Sequence, residues 1–248
     1  MQVTCKNCGL TYSGHFCSNC GQPAATHKLN LHFIWHDIQH GFFHFDNGVL
    51  FTAKELFTRP GDSIREFIEG KRVKHFKPIS LVIILATFYG LLRHLFHFSI
   101  LDKKSVSEIQ GVDYENLNEW ISHHYSWIIL LSIPMFSVAS FVVFRKQGYN
   151  FIAHFVLNSY MASQRLIFRI AIFPVIKYFS QSENITLFVD FLMLMDIVFI
   201  FWSYITFFQN LSKVKAFLFS IYTYLLFLVI FFIVLLLGVL AFDIHTVN

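Results

Sequence analysis

Four cysteines are the residues of this chain best suited to chemistry. Cys5, Cys8, Cys17 and Cys20 are spaced C-x2-C-x8-C-x2-C, with Gly9 and Gly21 closing the pairs. A two-residue gap lets both thiolates of a pair reach one tetrahedral ion, and the glycine that follows allows the positive φ that so tight a turn needs. Two matched pairs predict a structural Zn2+ site closed by four thiolates, with no open position for a water. All the cysteines lie before residue 21, and this paired spacing reads as metal ligation rather than a disulfide framework if the N-terminus stays in a reducing compartment.

Histidines offer a second set. His32, His36, His40 and His44 recur every four residues, so neighbouring pairs on a helix could share a second metal ion, with Asp37 or Asp46 adding an oxygen. A polar face on an interfacial helix backed by Phe33, Ile34, Trp35 and Ile38 explains the same pattern more simply, because Gly41 interrupts the helix. His94, His97, His123 and His124 resemble histidine boxes superficially. Topology places them on the opposite side of a membrane from His32 to His44, and Arg93, His94 and His97 read as side chains snorkelling from a helix end.

A third set lies inside an apolar segment. His154, Asn158, Arg165 and Arg169 fall four, seven and four residues apart, which aligns them on one helix face that must turn inward. Asp190 and Asp196 in the next segment are candidate counter-charges. Arg169 and Asp196 stand about equally far from the intervening loop, so an antiparallel hairpin would bring them to one depth as an ion pair. Two readings stand for this intramembrane polar site: a transport path or anionic headgroup pocket, and helix-packing glue.

The elements that must position these residues follow from composition. Of 248 residues, 55% are hydrophobic and 32 are Phe, while only 14% are charged, a balance that requires lipid-facing surface. Five segments, at 79–98, 126–144, 151–179, 185–209 and 214–242, come near or exceed the ~20 residues needed to cross a bilayer. The third is irregular, since Arg165 and Arg169 lie within it and Pro174 can kink it into two pieces. The expected fold is an all-α integral membrane bundle of about five spans over 79–248, preceded by a zinc-ribbon-like module at 1–24 and amphipathic cytosolic helices within 25–78. Asp46-Asn47-Gly48 opens one such helix and Arg59-Pro60-Gly61 stops it. Ser63 and Glu66 form a capping-box pattern for the next, which Gly70 ends.

Charge sets the orientation. Lys54, Arg59, Arg65, Lys71, Arg72, Lys74 and Lys77 precede the first span, whereas the loop after it is acidic. The N-terminus is therefore expected inside, and five spans put the C-terminus outside. With no apolar run in the first 30 residues to act as a signal peptide, insertion falls to the first internal span. The basic, aromatic stretch from Arg65 to Lys77 also attracts anionic membrane lipid, although orientation alone accounts for it. Basic residues sit beside spans rather than on a separate domain, which argues against a nucleic acid partner.

The motifs T-x-K-E-L-x-x-R-P-G from Thr52, I-R-E-x-I-x-G-K-R from Ile64 and K-P-I-S from Lys77, following the CKNCG and FCSNCG knuckles, resemble the bacterial uncharacterised membrane family numbered 3667 among domains of unknown function. The likeness is most specific over the first ~100 residues. It implies a bacterial cytoplasmic membrane location and the zinc knuckle, and it brings no catalytic residue. The sequence thus points to a non-enzymatic docking or regulatory protein whose N-terminal module meets a protein partner. Transport or lipid handling between spans three and four is the first alternative, and a metal-dependent enzyme built on the histidine ladder is the second.

Overall fold

The computed structural model describes residues 2–24, 26, 29–30, 48–96, 113–179 and 185–246; the histidine ladder and His97 lie outside them. A head of two short antiparallel strands, β1 (Gln2–Thr4) and β2 (Thr11–Ser13), pairs Val3 with Tyr12. Eight helices follow among the described residues: α1 (Gly48–Thr58), α2 (Pro60–Glu69), α3 (Pro78–Leu95), α4 (Tyr114–Val143), α5 (Phe151–Ala171), α6 (Phe173–Phe179), α7 (Ile185–Phe207) and α8 (Lys213–Thr246).

Four of these, α3, α4, α7 and α8, are long and apolar enough to cross a membrane. Helix α5 is not among them. The third expected span also breaks at Ile172 into α5 and α6, because Pro174 has no N–H for the carbonyl of Ile170 and its ring crowds that turn. The second span is longer than expected. Asp113 accepts the N–H groups of Glu115 and Asn116, and this cap starts α4 twelve residues before position 126.

Helix α5 is the centre of the bundle and packs against α1, α2, α3, α4 and α7. From Ile152 to Gln164 nearly all of its side chains are buried, on every face. Its low hydropathy follows from that position, since a helix shielded by other helices need not match lipid. Each long polar side chain in this stretch finds a partner. Tyr160 donates to the carbonyl of Phe76 at 2.6 Å, and Gln164 donates to that of Leu56 at 2.6 Å while accepting from Ser203 at 3.1 Å. Asn158 donates to Ser140 at 3.0 Å and accepts from Tyr204 at 2.8 Å. In a low-dielectric interior such bonds stabilise each contact modestly, but leaving one unmade costs about 1–3 kcal/mol.

The motif-bearing hairpin α1–α2 is welded to this core. The Thr52 hydroxyl accepts the Phe76 N–H at 2.8 Å. Gly61 lies so close to the Thr206–Phe207 backbone that a Cβ there would overlap it, and its N–H donates to the Thr206 hydroxyl at 3.2 Å. Arg65 donates to the carbonyls of Thr206 (3.0 Å) and Phe207 (2.6 Å), a cationic cap on the C-terminus of α7, and is itself held by Asp62. Glu55, Arg59, Glu66 and Lys71 form a chain of ion pairs along the hairpin.

The capping-box expectation at Ser63 does not hold. Pro60 starts α2, where its missing N–H is no loss, so Ser63 falls inside the helix and its hydroxyl meets His75 Nε2 at 3.0 Å. Gly70 ends α2 in the left-handed conformation, as the spacing implied.

Burial holds His75 neutral, its pKa pushed down to about 4. The unfolded chain takes up this proton near pH 6.5 and the folded chain only near pH 4, so within that window stability falls as pH drops. The expected loss is at most about 3 kcal/mol. Thermal unfolding in detergent from pH 7 to pH 4 should show a steeper acid decline for the wild type than for His75→Gln. Parallel declines would show that His75 is not the group responsible.

Candidate metal centre and polar interior

The two halves of the head repeat one hydrogen-bond pattern. Cys5 N–H donates to Leu10 C=O and Gly9 N–H to Cys5 C=O; in the second half Cys17 N–H donates to Gln22 C=O and Gly21 N–H to Cys17 C=O, all at 2.8–2.9 Å. Gly9 and Gly21 sit at φ 78° and 72°, where a Cβ would be strained. These turns bring the four Sγ atoms within 4.8 Å of one another, with Cys5 to Cys20 and Cys8 to Cys17 each at 3.5 Å. A tetrahedral ion with Zn–S bonds of ~2.3 Å requires S–S edges of roughly 3.8 Å, so the donor set fits one such ion. Tyr12 packs with Cys5 and Cys17 beneath the site.

The thiols differ in environment. Burial pushes Cys5 up to about 11, against backbone N–H bonds from Cys8 and Asn7 that favour its thiolate. The Leu10 N–H, with help from Asn19, pulls Cys8 down to about 6. Backbone donors aimed at the sulfurs are a built-in counter-charge for a cluster of thiolates around a cation.

Gln22, which the sequence reading passed over, fastens the head to the hairpin. It is 3% exposed, its Oε1 accepts the Arg72 N–H at 3.2 Å, and its Nε2 donates to Thr26 at 3.2 Å. Asn150, the N-cap of α5, adds a second tie by donating to the Leu29 carbonyl at 3.1 Å. No local spacing rule marks Gln22, because its partner lies 50 residues away.

The polar residues of α5 divide into two groups. His154 and Asn158 share the Ser140 hydroxyl, each at 3.0 Å. Arg169 pairs with Asp196 and donates to the Tyr125 hydroxyl at 2.9 Å. Arg165 lies between the groups, its guanidinium 5.8 Å from the Phe136 ring centre, beside a cavity of about 10 Å³ that Asn158 also lines. That volume holds about one water. Asp190 is exposed and joins neither group.

Arg93 corrects the snorkelling expectation. It is fully buried, with its guanidinium 4.3 Å from the Tyr125 ring centre and Nη2 3.5 Å from the Ser122 hydroxyl. The early start of α4 is the cause, since it places Ser122, Tyr125 and Ser126 alongside the last turns of α3. The polar spacing of those three residues was the signal available. His94 remains exposed, its ring 4.7 Å from that of His123.

A family model described as Protein of unknown function (DUF3667) matches residues 46–90, the segment from the start of α1 through most of α3. No curated protein and no solved structure matches significantly.

The Arg169–Asp196 pair yields a direct test. Asp196→Asn leaves a largely buried guanidinium without its carboxylate and should cost up to about 3 kcal/mol, as should Arg169→Gln. The exchanged pair Arg169→Asp with Asp196→Arg should recover part of that loss in a thermal unfolding series. Additive losses would mean that the two side chains do not interact.

Proposed function

We propose that this chain is a non-enzymatic docking or regulatory protein of a bacterial cytoplasmic membrane, with a structural Zn2+ ion in its head. The observation that carries this reading is the continuity of contacts from the four-cysteine cluster to the long apolar helices. Cysteine turns fold the head, Gln22 ties it to Arg72, the hairpin it rests on caps α7 through Arg65 and bonds α5 through the Leu56 carbonyl, and the segment after the hairpin bonds α5 through the Phe76 carbonyl. A protein partner that grips or displaces the head would therefore act on the bundle through fixed contacts. A closed four-thiolate site suits this role, because it folds a segment too small to hold a core unaided and leaves no coordination position for a substrate.

In this reading α5 is a fifth crossing, hidden from lipid by its neighbours. Five crossings keep the head inside with the basic flanks and place the C-terminus outside. Transport or lipid handling through the polar interior is supported by the buried His154 and Asn158 and by the partly buried Arg169 and Asp196. It needs room that the cavity of about 10 Å³ at Arg165 does not offer.

Metal analysis of the purified chain tests the proposal. One zinc per chain is expected, together with loss of zinc and of head structure in the quadruple Cys→Ser variant while helical content persists. Zinc retained at one equivalent by that variant would end the proposal.

A further inference from the structure

A cavity of about 290 Å³ lies where the head meets the bundle and a second of about 270 Å³ adjoins it, with Glu69 and Tyr149 lining both. The larger is bounded by the head on one wall and by α2 and the start of α5 on the others. Two cations from different elements face it, Lys6 from the first cysteine turn and Arg72 from the turn after α2.

Arg72 is held in place, and the stem of Lys6 is aimed across Gly70. The Lys6 stem crosses Gly70, its Cδ 2.8 Å from where a Cβ would stand, so the left-handed glycine of the I-R-E-x-I-x-G-K-R motif is also what admits the lysine. The Arg72 Nε donates to the Phe67 carbonyl at 3.2 Å and its guanidinium lies 5.2 Å from the Phe67 ring centre, which fixes the plane of the fork. Glu69 is the one acid on the lining, so the cavity carries a net positive charge. Leu29, Ile68 and Ala153 supply an apolar floor. Two cations over an apolar floor suit a ligand with a phosphate at one end and hydrocarbon at the other.

We infer that this groove binds a phosphate-bearing ligand of net negative charge, with Lys6 and Arg72 holding the phosphate and Glu69 weakening the affinity. The inference rests on the proposed docking of the zinc-stapled head, since Lys6 reaches the groove only from there. The ligand chemistry has two sources, the headgroup of an anionic lipid and a free phosphomonoester.

The test uses the full chain in zwitterionic detergent with two probes, fluorescent phosphatidylglycerol and glycerol 3-phosphate, and phosphatidylcholine as control. Lys6→Glu reverses an exposed charge and should weaken binding at least about tenfold, whereas Glu69→Gln should tighten it about threefold or more. Preference for phosphatidylglycerol alone identifies a lipid headgroup, and binding of glycerol 3-phosphate on its own identifies a soluble phosphate. Equal binding by the wild type and both variants, or no discrimination from phosphatidylcholine together with no binding of glycerol 3-phosphate, overturns the inference. Zinc is measured on the same samples: its absence from the wild type defeats the docked-head reading and this inference together, whereas full zinc without phosphate recognition defeats only the groove.

Discussion

A helix as polar as α5 can occupy the middle of an apolar bundle only if its buried donors and acceptors meet partners, and that requirement organises the rest of the molecule. Bulk water does not reach those groups, so the surrounding segments must supply nearly all of the partners. Ser140 of α4 and Tyr204 of α7 serve Asn158. Ser203 serves one end of Gln164. The remaining partners are not on spans at all. They are the carbonyls of Leu56 and Phe76, at the end of α1 and just before α3.

The α1–α2 hairpin is thus part of the bundle interior rather than a surface ornament. Its motif residues have separate physical jobs. Gly61 permits contact with the α7 backbone, Arg65 caps α7, and Thr52 holds the turn before α3. Gly70 and Arg72 receive the head. The segment from 46 to 90 that matches the family of unknown function is this clamp together with most of α3. The same clamp is bonded to the head, through Gln22 and the Arg72 N–H.

How much of this was legible in the sequence depended on how far each interaction reaches along the chain. The cysteine turns were legible because each closes within five residues. Arg169 and Asp196 could be paired by counting to a common loop, since depth in an antiparallel hairpin follows from sequence distance. Arg65 with Phe207 spans 142 residues and Gln164 with Leu56 spans 108, and no periodicity encodes either. Local signals also compete. Ser63 followed by Glu66 looks like a cap, but Pro60 had already begun the helix. Arg93 looked like a helix-end residue because the polar first turns of α4 resembled a loop. Hydropathy marked 151–179 as a span, yet the feature that matters there is the polar content that excludes α5 from lipid.

Hydrogen exchange on the intact chain in lipid nanodiscs tests the central claim most directly, read at the amides of residues 52–68. If the hairpin is locked into the core, those amides exchange as slowly as the amides of α5 in the same sample. Exchange of 52–68 within seconds, beside a protected α5, would show a hairpin lying free on the surface and would contradict the account.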